Sequence, residues 1–247
     1  MHTTLNYSLN FDTKKRKARD IKFIIFHYTG MKKENNALDR LINNKSKVSC
    51  HYFVKNSGEI VNLVPDLYVS WHAGISFWKN YKSINKYSIG IEINNPGHEN
   101  KYKKFSKKQI KSILKLSKYL IKKYKIRSNL ILGHSDIAPE RKKDPGEKFP
   151  WYYLYKKKIG FWHNLSQKQL MRCRKLKISE LEKNIFIKNL HKIGYSKISK
   201  TSKNNSFIKC LTNAFQMRFR QELINGKIDK ECLIISNNLV KNINNFS

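Results

Sequence analysis

Three short apolar runs constrain this chain more than any other feature, because each ends at or carries a residue able to bind metal or move a proton. Ile21–Phe26 runs into His27, Ser88–Ile93 carries Glu92, and Asn129–Leu132 stops at Gly133-His134. Short apolar runs bounded by turn signals predict buried strands. In Ser88–Ile93 the isoleucines alternate with Glu92, which places the acid on the opposite face. Between the second and third runs, Ile110, Ile113, Leu114, Leu116, Leu120 and Ile121 form a helical stripe over Ser106–Tyr124, with Ser106 suited to the N-cap. This alternation predicts an α/β fold with a central mixed sheet flanked by helices.

The remaining elements follow from local signals. Ala37–Asn43 predicts a turn or two of helix, with Leu38, Leu41 and Ile42 on one face. His51–Val54 and Ile60–Val64 flank Asn56-Ser57-Gly58-Glu59, a hairpin turn. Pro139, Pro145 and Pro150 force a loop over Ser135–Pro150. Beyond Gly160 the strand signals fade and two or three helices are expected. Ile178, Leu181, Ile185 and Ile193 space one, ended by Gly194; Ile208, Leu211, Ala214, Phe215 and Phe219 space another, before Asn225-Gly226. The expected organisation is an N-terminal extension (1–20), a catalytic domain (21–163) and a small all-α domain (178–247).

Composition narrows the partners. A formal net charge of +34 suggests a polyanion such as nucleic acid, a membrane surface or an acidic wall polymer. The basic residues are dispersed from Lys14 to Lys241, however, within a chain rich in Lys, Asn and Ile throughout, so no specific nucleic-acid site is expected. No run approaches the ~20 apolar residues of a membrane span. Met1–Asp20 is polar and basic, without the apolar core of an export signal, so the chain as written is expected in the cytoplasm. Cys50, Cys173, Cys210 and Cys232 are far apart and form no CxxC pair, which argues against a cysteine metal site.

His27, His134 and Asp144 supply two imidazoles and one carboxylate, the ligand set that leaves a zinc ion one open position for water. Glu92 would be the base on that water, and Lys142 would face the developing oxyanion. Each residue has a structural alternative: a packed histidine, an acid paired with lysine, an aspartate capping a turn. Spacing alone leaves both readings open.

Longer motifs add a resemblance. Phe26-His27-Tyr28-Thr29, Trp71-His72-Ala73-Gly74, Ile89-Gly90-Ile91-Glu92, Gly133-His134-Ser135-Asp136-Ile137-Ala138-Pro139 and Arg141–Gly146 with Phe149-Pro150-Trp151 resemble the amidase-2 family of N-acetylmuramoyl-L-alanine amidases, which includes the peptidoglycan-recognition proteins. The likeness spans about residues 20 to 163. It implies one zinc per chain on His27, His134 and Asp144, Glu92 as catalytic base, Lys142 as transition-state cation, and His51, Trp71 and His72 lining the substrate site. It implies hydrolysis of the amide between the N-acetylmuramic acid lactyl group and L-alanine, with peptidoglycan or muropeptides as partner and a monomer as the working form. His2, His98, His163 and His191 lie outside the motifs and are expected at the surface. Ile193-Gly194-Tyr195, Ala214-Phe215-Gln216 with Phe219, and Asn225–Asp229 resemble a helical peptidoglycan-binding domain; the alternative is a helical cap. Exported, lipid-anchored members of the family point to the cell envelope, whereas Met1–Asp20 lacks a signal peptide and a lipobox cysteine. Two further alternatives are an amidase restricted to 1,6-anhydromuropeptides and a non-catalytic peptidoglycan-binding protein.

Overall fold

The computed structural model describes residues 3–196 and 204–243. Two short strands, β1 (Thr4–Leu5) and β2 (Phe11–Asp12), precede β3 (Phe23–Tyr28). Helix α1 (Glu34–Ile42) leads to the hairpin of β4 (Tyr52–Val54) and β5 (Ile60–Asn62). Short strands β6 (Val69–Ser70), β7 (Phe77–Trp78) and β8 (Tyr81–Lys82) follow, then β9 (Ser88–Ile93). Helix α2 (Lys107–Tyr124) returns the chain to β10 (Ile131–Gly133), and α3 (His134–Ile137) and α4 (Trp151–Lys156) come next. Last are α5 (Gln167–Arg174), α6 (Glu180–Ile193), α7 (Asn204–Phe219) and α8 (Lys230–Asn242).

Six strands form one mixed sheet in the order β1-β5-β4-β9-β3-β10, parallel except for the β4–β5 pair. The α/β expectation is borne out, and the reason is visible in β3. Phe23, Ile24, Ile25 and Phe26 are fully buried between two parallel neighbours, as continuous apolar runs require. Helix α2 starts at a capping box in which Ser106 and Gln109 satisfy each other's backbone N–H groups, and it buries Ile113, Leu116 and Leu120.

Some elements differ from the sequence reading. Residues 3–20 are part of the sheet system: β1 pairs in parallel with β5, and β2 pairs with β6. The third site strand starts at Ile131, because Ser128–Leu130 closes a 3₁₀ turn first. The proline-rich loop contains α3, a single helical turn. Four helices, not two or three, follow Gly160 among the described residues; α5 and α8 are the additions.

The helical part shares its apolar core with the sheet. One continuous cluster joins Trp78, Trp151 and Phe161 to Phe186, Phe215 and Phe219. Trp78 is packed so tightly against the end of α6 that a Cβ on Gly194 would lie 2.4 Å from its ring. The Arg218 guanidinium of α7 sits 4.2 Å from the centroid of the Trp151 ring and 4.6 Å from that of Phe161.

Candidate active site

Parallel strands bring their carboxyl ends to one edge, where open α/β sheets bind ligands. His27 and Glu92 are register partners on β3 and β9. Gly133 pairs with Phe26, so His134 emerges one residue beyond β10 and beside His27. Asp144 is brought back by the proline-rich loop, whose fold is pinned where Ser135 N–H donates to the Asp144 carbonyl at 2.8 Å. His27 Nδ1 and His134 Nδ1 are 2.9 Å apart, and Asp144 Oδ2 lies 3.0 Å from each. All three residues are buried.

Chemistry suits this trio to a divalent cation. His134 Nε2 faces the Ala73 carbonyl at 3.0 Å; a carbonyl only accepts, so the hydrogen is on Nε2 and the Nδ1 lone pair faces the cluster. Burial first, and the neighbouring His134 second, lower His27 to about 4, so it is neutral near pH 7. A carboxylate and two imidazole nitrogens are the donors a catalytic zinc site uses. This is the only group of three or more metal-binding side chains found among the described residues.

A cleft of about 340 Å³ opens over His134 and Asp144, lined also by Glu92, Lys142, Trp71 and His72 among others. Glu92 Oε2 is shut from solvent and has no hydrogen-bond partner among the described residues. Burial, then the charge of Asp144, pushes the Glu92 carboxyl up to about 8, against the opposing pull of Lys142.

The substrate-side expectations fare unevenly. Trp71 stands on the cleft wall, its indole N–H held by Asp12 Oδ1 at 2.7 Å. His72 reaches the cleft, but its ring nitrogens are taken by His27 and Ser88. His51 does not line the cleft: it is fully buried, with Nδ1 accepting from Gly90 N–H at 3.0 Å and from Ser70 at 2.7 Å. Two histidines expected at the surface are elsewhere. His98 forms part of the cleft wall, bonded to Tyr28 and Glu147 at 2.8 Å each. His163 is buried beside Trp162 and Phe219. His191 is half-buried, and His2 lies outside the described residues. Arg40 and Arg141 also line the cleft and were not anticipated. The one sequence signal for His98 was its place in the turn directly after the strand that carries Glu92.

The fold and the site define a hydrolase with a His–His–Asp group able to hold a metal ion. Residues 17–147 match the Amidase_2 family, described as N-acetylmuramoyl-L-alanine amidase. The chain is 32% identical over 234 residues to N-acetylmuramoyl-L-alanine amidase AmiD of Escherichia coli K12, covering 90% of this chain and 83% of that protein. The solved complex of E. coli AmiD with anhydro-N-acetylmuramic acid-L-Ala-D-γ-Glu-L-Lys, described as its substrate, matches with a TM-score of 0.79 and 31% identity, covering 90% of this chain and 89% of that one. AmpDh3 of Pseudomonas aeruginosa, in complex with anhydromuramic pentapeptide, matches with a TM-score of 0.79 and 27% identity over 100% of both chains. The chain belongs to the amidase-2 family of N-acetylmuramoyl-L-alanine amidases.

Proposed function

We propose that this protein is a zinc-dependent amidase that hydrolyses the amide between the lactyl group of N-acetylmuramic acid and L-alanine of the stem peptide. The observation that carries the reading is the convergence of His27, His134 and Asp144 beside a cleft whose lining includes His134, Asp144, Glu92 and Lys142. His27, His134 and Asp144 would hold one zinc ion, whose chemistry there is to polarise the amide carbonyl and acidify water. Glu92 takes the proton of the attacking water and returns it to the departing alanine nitrogen. A carboxyl raised to about 8 suits that exchange, since a base works best with its pKa near the working pH. Lys142 offsets negative charge developing on the carbonyl oxygen. Trp71 supplies an aromatic wall for the substrate. Ligands named for the related structures carry anhydromuramic acid, and anhydromuropeptides fall within the proposed substrate range.

Metal analysis tests the assignment. The purified protein should contain about one zinc per chain, as a single three-ligand site implies. His134→Ala should lose both the zinc and the turnover. Full zinc retention by that variant would remove His134 from the ligand set.

A further inference from the structure

His72 lies directly behind His27. Its Nδ1 is 2.9 Å from His27 Nε2, and its own Nε2 is 3.0 Å from Ser88 Oγ. Ser88 decides which of these nitrogens carry hydrogen. Its single hydroxyl hydrogen goes to the Ile84 carbonyl at 2.7 Å, because a carbonyl only accepts. Toward His72, therefore, Ser88 Oγ accepts, and the His72 hydrogen sits on Nε2. The other nitrogen of the neutral ring, Nδ1, accepts from His27 Nε2–H. His27 is left with its lone pair on Nδ1, the atom that meets His134 Nδ1 and Asp144 Oδ2. With His134 Nε2 turned to the Ala73 carbonyl, both histidines direct Nδ1 at Asp144 Oδ2.

Strand β9 leaves room for this arrangement only because residue 90 is glycine. A Cβ there would lie 2.4 Å from His72 Cγ. His27, His72 and Ser88 are all buried, so water offers the ring nitrogens little alternative.

We infer that Ser88 and His72 form a positioning relay that holds His27 in its Nδ1-ligating tautomer and so raises the affinity of the site for its metal. The inference rests on the zinc reading above, and its test reads metal binding rather than turnover. Zinc Kd is measured on the full chain by competition with a chromophoric chelator, alongside a thermal melt of each metal-free variant. His72→Phe should raise the Kd by roughly 10–100-fold, as loss of a partner behind a metal-binding histidine does. Ser88→Ala should raise it less, and His72→Gln, whose amide can accept from His27 and donate to Ser88, should restore most of the loss. Long-range ¹H–¹⁵N NMR of the metal-free protein should find His27 without hydrogen on Nδ1.

A zinc Kd within about twofold of wild type in folded His72→Phe would overturn the relay; should that variant fail to fold, the same result in Ser88→Ala overturns it. Hydrogen found on His27 Nδ1 overturns it independently. A wild-type protein that binds no zinc sinks the reading of the site itself.

Discussion

Arg218 on α7 forms a buried ion pair with Asp136, two residues beyond His134, and so ties the helical part of the chain to the turn that carries His134. Asp136 also accepts from Gly133 N–H at 2.8 Å and from the Tyr195 hydroxyl at 2.7 Å, while Arg218 donates to the Ile131 carbonyl at 2.9 Å. One cluster thus joins β10, α3, the end of α6 and α7. Breaking a buried pair leaves an uncompensated charge, which costs about 3–5 kcal/mol. Arg218→Met should therefore lower the unfolding free energy by about that amount in urea denaturation. A loss below about 1 kcal/mol would show that the pair is not a brace.

The same cluster bears on the role of the helices. With Trp78 closed over by Gly194 and Asp136 held from α7, deletion of residues from 178 onward should lower the melting temperature. Cleavage of soluble muropeptides and of insoluble sacculi should be damaged together. A truncated chain that melts normally and loses only sacculus cleavage would establish a tether, which acts by raising local polymer concentration.

Glu92→Gln separates binding from chemistry. The amide keeps the shape of the side chain but cannot take a proton, so zinc content should stay near one per chain while kcat falls by roughly 10²-fold or more. Near-normal turnover would remove Glu92 as the base.

His163 makes stability depend on pH. Burial lowers its pKa from the ordinary 6.5 to about 4, against an opposing hydrogen bond at the Phe219 backbone. Between those values the unfolded chain binds a proton that the folded chain refuses. The stability His163 contributes is therefore present above about pH 6.5 and is lost as pH falls to about 4. The difference in unfolding free energy between wild type and His163→Gln should shrink over that window by up to about 3 kcal/mol. A difference that stays constant, or grows toward acid, contradicts this.

Much of the site was legible because its residues sit on elements with strong local signals. β3 and β9 are apolar runs that end at or carry His27 and Glu92, and α2 announces itself by its stripe and its Ser106 cap. What stayed hidden was short or non-local. α3 is too brief for any periodicity, and α5 buries only Leu170. His51 and His72 look alike in sequence, yet one is buried and held by Ser70 and Gly90 while the other touches His27. Arg16 sits in the N-terminal segment, and no pattern links it to the Asp66 carbonyl that it meets at 2.7 Å.

Mass spectrometry of muropeptides digested with the full-length protein, with and without a zinc chelator, tests the central claim most directly. The account predicts free stem peptides beginning at L-alanine and sugars ending in an intact lactyl carboxylate, both disappearing with chelator and returning on added zinc. Cleavage at a sugar–sugar or peptide–peptide bond, or lactyl–alanine cleavage indifferent to the chelator, would contradict it.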